Sequence, residues 1–107
     1  MQPEKDLKLK ERCVKAFLDF VILRFLAKKP MTGYEVNNLL VKNYGIMVAP
    51  NTINSKLSAM ERRGWTSVTR NRHGKTYSLT AKGQETVNNM PAVAAETHAF
   101  IRLIFGS

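Results

Sequence analysis

Acidic residues are scarce in this 107-residue chain: 8 Asp and Glu stand against 17 Lys and Arg, a net charge of +9 at pH 7. A surface of one sign attracts polyanions, nucleic acid first and an anionic membrane second. The single cysteine, Cys13, excludes an internal disulfide framework and a cysteine-rich zinc site. No apolar run approaches the roughly 18 residues that would mark a transmembrane helix. The most apolar stretch, Ala16 to Ala27, is interrupted by Asp19 and Arg24. The N-terminus, Met1 to Asp6, carries charges of both signs and does not read as a signal peptide, so the expected location is cytoplasmic, at the nucleoid. Paired carboxylates, a nucleophile next to a base, a glycine-rich phosphate loop and metal-ligand spacing are all missing. The chain is therefore expected to be no enzyme and to hold no cofactor and no metal.

What is present is a clear sequence of helix signals within one domain, residues 1–107. Residues 5–29 contain no Gly or Pro and predict a long first helix. Val14, Phe17, Leu18, Val21 and Phe25 form one apolar stripe; Cys13, Ala16, Phe20, Leu23 and Ala27 form a second. Two apolar faces call for two packing surfaces, one of them on a partner chain. Thr32 and Glu35 fit a capping box and Met31 and Val36 a hydrophobic staple, which start a second helix over 32–44, closed by Gly45. Ile46 to Val48 is an apolar link that suits a single short strand. Pro50 opens a third helix over 50–63, with Ile53, Leu57 and Met60 facing inward. Residues 65–79 predict a hairpin turning at Asn71 to Gly74. Thr80 caps a last helix over 80–105, with Pro91 marking a kink or a break. Helix, helix, helix, hairpin, helix is the order of a winged helix-turn-helix, mainly α with a small β-hairpin wing and here a C-terminal dimerisation helix.

The charge is not spread evenly. From Pro50 to Lys82 seven basic residues face one acid, Glu61, so this segment holds six of the nine net charges. Residues 1–15 mix five basic residues with three acids and read as a solvated helix face, and the last helix is close to neutral. The outer side of the third helix presents Asn51, Thr52, Asn54, Ser55, Ser58 and Arg62, residue types that read base edges in a major groove. Lys56, Arg63, Arg70, Asn71, Arg72, His73 and Lys75, on this helix and the wing, are expected at phosphates, as are Thr32 at a helix start and the hydroxyl of Tyr77. Otherwise Tyr34, Trp65 and Tyr77 read as core or edge packing. His73 reads as a wing residue, His98 as a helix-surface or interface residue, and Cys13 as a packed small hydrophobe. Val87, Met90, Ala94, Thr97, Ile101 and Ile104 recur at heptad-like spacing. With Cys13 and Phe20 they form the expected interface of a homodimer. The expected partners are double-stranded DNA and a second copy of the chain, and no membrane.

Met31-Thr32-Gly33-Tyr34-Glu35-Val36, Pro50-Asn51-Thr52-Ile53, and Tyr77-Ser78-Leu79-Thr80 with Gly83 follow one another in an order and spacing that resembles the PadR-type transcriptional regulators. The resemblance covers residues 17–84. It implies a winged-helix homodimer, usually a repressor, whose last helix forms the dimer interface. Two departures stand out: Ala49 where the family often has Ser, and Asn54 where it often has Tyr. No aromatic pattern in the last segment supports carrying over a drug or phenolic-acid pocket, and a small-molecule effector stays an open expectation. The functional expectation is a sequence-specific DNA-binding regulator. The alternative is a nucleoid-architectural or protein-interaction module on the same fold, with little sequence preference.

Overall fold

The computed structural model describes residues 3–106; the side chains of residues 3–8 and of Lys10 lie outside that description, and with them most of the mixed-charge run expected as a solvated face. Nine elements follow in order: α1 (Pro3–Ala16), α2 (Leu18–Lys28), β1 (Met31–Thr32), α3 (Gly33–Tyr44), α4 (Pro50–Arg62), β2 (Thr66–Asn71), β3 (Gly74–Leu79), α5 (Ala81–Asn88) and α6 (Met90–Phe105). Mainly helical, with a three-stranded antiparallel sheet of order β1-β3-β2, this is a winged helix. The third helix of the expected order, over 50–63, is α4.

The expected first helix is two. Phe17, at φ −109° and ψ 23°, separates α1 from α2, although backbone bonds from Phe17 N to Cys13 O and from Val21 N to Phe17 O carry the chain across. The residues on either side explain the bend. Leu18, Ile22, Leu23, Phe25 and Leu26 of α2 are buried, whereas among the described side chains of α1 only Val14 packs against the core. The stripes redistribute accordingly. Ile22 and Leu26 join the core and Leu23 crosses into it, while Phe17, Cys13, Ala16 and Ala27 are exposed. Cys13 is thus not a packed hydrophobe.

The cap of α3 forms as its residues dictate. Thr32 Oγ1 accepts from Glu35 N at 3.1 Å, and Glu35 Oε1 accepts from Thr32 N at 3.2 Å. Gly45, at φ 67°, closes the helix in the left-handed region that favours glycine. Ile46 to Val48 forms no strand. Ile46 and Val48 are apolar anchors, and the Asn37 amide donates to the Val48 carbonyl at 3.1 Å, pinning the link to α3. The small first strand is instead Met31–Thr32, which pairs Met31 with Tyr77 and Thr32 with Thr76. Pro50 opens α4 as expected, and Ala49 makes no side-chain cap bond. Ile53, Leu57 and Met60 are fully buried.

The last segment divides at Asn89. Pro91 is the second residue of α6 and has no N–H to return to the preceding turn, which is where a new helix tolerates it. Thr80 caps α5 by accepting from Gly83 N at 3.1 Å. Its hydroxyl also donates to the Gly64 carbonyl, and its N–H donates to Trp65 O. Gly83 is buried so tightly against Trp65 that an added Cβ would collide with the Trp65 carbonyl oxygen. Gly83→Ala is therefore expected to destabilise the fold by about 3 kcal/mol, the upper end of overpacking costs, because backbone cannot move aside as a side chain can. A chemical-denaturation midpoint unchanged from the parent would contradict this packing.

Candidate nucleic-acid interface

The outer side of α4 carries Asn51, Thr52, Ser55 and Arg62, all exposed. Ala49 offers this helix no side-chain cap; its carbonyl accepts from Thr52 N at 2.9 Å and from Ile53 N at 3.2 Å. Asn54 and Ser58 lie further round, in a cleft of about 370 Å³ between the start of α3, α4 and the wing. Its walls include Thr32, Gly33, Tyr34, His73, Lys75 and Tyr77. Gly33 makes this approach possible: a Cβ there would lie 3.0 Å from Asn54 Oδ1. Tyr34, expected in packing, is instead 76% exposed at the cleft. The hydropathy of a tyrosine carries no signal for this, because its ring suits core and groove alike. Tyr77 is buried, as expected of a core residue, and also lines the cleft. Among the described residues its hydroxyl has no hydrogen-bond partner.

The wing turns over Arg72 and His73, between the paired Asn71 and Gly74. Asn71 Oδ1 accepts from His73 N at 2.7 Å, and Gly74 takes φ 116°. In this register Arg70 lies directly across from Lys75. Like charges in that position destabilise a hairpin unless an anion comes between or beside them. None of Arg62, Arg70, Arg72 and Lys75 forms an ion pair with a described acid.

Lys56 and Arg63 are placed differently from these four. Lys56 Nζ lies 3.3 Å from Asp19 Oδ1, and Arg63 Nη1 lies 3.8 Å from Asp19 Oδ2. The Arg63 guanidinium also stacks over Trp65, 5.0 Å from the ring centroid. Lys82 donates to the Arg63 carbonyl at 2.8 Å. The basic segment thus separates into four cations without acidic partners and three engaged within the protein.

The residues expected at a dimer interface are not all on one surface. Val87 and Met90 pack partly against the core. Ala94, Thr97 and Ile101 of α6 line an apolar groove of about 370 Å³ with Phe17, Phe20 and Val21 of the first helical segment. Arg24, Tyr44 and His98 also line it. The aromatic lining comes from Phe17, Phe20 and Tyr44, far from the last segment in sequence. Ile104 and Cys13 are exposed outside the groove. No described residue of α6 is buried. Among the described residues there is no cluster of potential metal ligands and no helix long and apolar enough to cross a membrane.

No family sequence model and no curated protein sequence matches the chain. Solved structures do. A PadR-like transcriptional regulator from Bacillus cereus superposes with a TM-score of 0.69 at 20% identity, over 90% of this chain and 98% of that one. A transcriptional regulator from Clostridium thermocellum reaches 0.73 at 19% identity, over 85% and 92%. Bacillus subtilis PadR in complex with operator DNA gives 0.63 at 21% identity, over 68% of this chain and 45% of that longer one. The order of helices, the three-stranded sheet and these superpositions agree: the chain has the winged-helix fold of the PadR-like transcriptional regulators.

Proposed function

We propose that the chain is a sequence-specific double-stranded DNA-binding transcriptional regulator, a repressor acting as a homodimer in the cytoplasm. The observation that carries this reading is the wing. Arg70 and Lys75 face each other across the hairpin with Arg72 at the tip and no described acid paired to any of them, and Lys75 lines a cleft with Asn54 and Ser58 of α4. An arrangement that is repulsive alone becomes favourable against a phosphate backbone, where each cation releases condensed counterions. Asn51, Thr52, Ser55 and Arg62 then meet base edges, and Asn can pair bidentately with adenine. The cleft at the start of α3 supports a backbone contact beside this helix, through Tyr34, Lys75, His73 and the Tyr77 hydroxyl. That Bacillus subtilis PadR is known with operator DNA supports the same use of this fold.

The dimer reading rests on α6. Sixteen residues long with none buried, it exposes Phe100, Leu103, Ile104 and Phe105 to between 64% and 77%. A helix of this length is marginal in water by itself, and so wide an apolar surface is rarely left open. The chain's radius of gyration of 15.1 Å exceeds the roughly 13 Å of a compact chain of this length, as expected for half of a larger assembly. Charge supports a second copy as the occupant, since α6 carries one acid and one base, Glu96 and Arg102, and offers a partner no net repulsion.

Two experiments test this function. In anisotropy titrations with labelled duplexes, Arg72→Ala is expected to weaken all sequences alike and to reduce the slope of log K against log salt by about 0.9. Asn51→Ala should narrow the gap between a selected site and random DNA by about 1–3 kcal/mol. Equal affinity of the parent for selected and random duplexes would favour the architectural alternative. Separately, Ile104→Glu is expected to convert a dimer to a folded monomer in sedimentation velocity; a parent already monomeric at micromolar concentration would remove the dimer reading.

A further inference from the structure

Asp19 is the only acid between Glu11 and Glu35, and it stands in the first turn of α2, within the most apolar stretch of the chain. Its carboxylate reaches the flank of α4, 3.3 Å from the Lys56 ammonium and 3.8 Å from the Arg63 guanidinium. Asp19 Oδ1 is closed off from water and takes no hydrogen bond. The side chain as a whole stays 30% exposed, so the carboxylate is half-shielded and favours a nearby positive charge over none. Lys56 is therefore drawn toward the protein: turning to a phosphate would leave Asp19 with only the longer contact to Arg63. Arg63 is held more loosely by charge, at the longer distance, but its stacking on Trp65 adds a second restraint.

Lys56 follows Ser55 and Arg63 follows Arg62, so each tethered cation is the immediate neighbour of a residue on the DNA-facing ridge. Free, they would add sequence-independent phosphate attraction beside the base-reading residues. We propose that Asp19 is a specificity-determining residue. By holding Lys56 and Arg63 on the protein, it limits the non-specific part of DNA affinity and leaves discrimination to Asn51, Ser55 and Arg62. It acts through its partners and not by touching DNA, so it is a positioning residue. The proposal rests on the DNA-binding reading above.

The test is a salt series on a random-sequence duplex and on a duplex selected from a random pool, using the full chain. Asp19→Asn keeps the shape and removes the charge. It is expected to bind random DNA several-fold more tightly at low salt, with a slope steeper by about one phosphate contact, and to lose part of its preference for the selected duplex. The double variant Asp19→Asn with Lys56→Gln should return to the parent slope, and Asp19→Glu should keep it. A merely structural role would instead weaken binding to both duplexes without steepening the slope. A slope for Asp19→Asn equal to the parent's or shallower would overturn the proposal. One measurement needs no variant: in lysine side-chain NMR of the parent, duplex addition should shift Lys75 and leave Lys56 in place. A Lys56 shift as large as that of Lys75 would also overturn it. A parent that binds no duplex in a salt-dependent way would instead remove the DNA-binding reading itself.

Discussion

The wing is closed at its base by three backbone-level contacts around Trp65. Thr80 donates its N–H to the Trp65 carbonyl and its hydroxyl to the Gly64 carbonyl, and accepts from Gly83, which lies flat against the same peptide. This junction joins the corner after α4 to the end of β3 and the start of α5. The direction of the hairpin relative to α4 follows from it. A side chain at residue 83 would push the strand end away from the corner, and the wing cations would move with it. The position that matters most to the geometry of the charged face is thus a glycine without charge or hydrogen-bonding side chain.

The second constraint is electrostatic. A net charge of +9 on a small domain makes attraction to any polyanion easy and discrimination between polyanions difficult. The fold divides the basic residues into two sets. Arg62, Arg70, Arg72 and Lys75 have no acidic partners among the described residues, and the opposed pair Arg70 and Lys75 is poised for an anion. Lys56 and Arg63 are drawn to Asp19, and Lys82 to a carbonyl. Basic side chains on neighbouring elements thereby stand in two different electrostatic settings.

Much of the local structure was legible in the sequence because its causes are local. The capping box of Thr32 and Glu35, the glycine stop at Gly45, Pro50 at a helix start and the cap at Thr80 each involve residues within four positions of one another. The inward set Ile53, Leu57 and Met60 follows from helical period alone. The bend at Phe17 was not legible, since an unbroken helical pattern runs through it and the cause is the core that Leu18 meets. Nor was β1, whose two residues are a strand only because β3 lies beside them. Pro91 announced an interruption, but the division at Asn89 was settled by the helix it opens.

The candidate site divides in the same way. Sequence by itself determined the chemical types on α4 and the concentration of cations between Pro50 and Lys82, because periodicity and charge are properties of the chain. Only the tertiary structure decided which of those groups face outward together. It placed Asn54 and Ser58 in a cleft with Tyr34, and it brought Asp19 from α2 against Lys56 and Arg63, 37 and 44 positions later in the chain. Contacts across such separations depend on how helices pack around Leu18, Ile22, Leu40 and Leu57. A pattern read along the chain holds no record of that packing, which is why the composition of the basic face could be read in advance and its division into free and tethered charges could not.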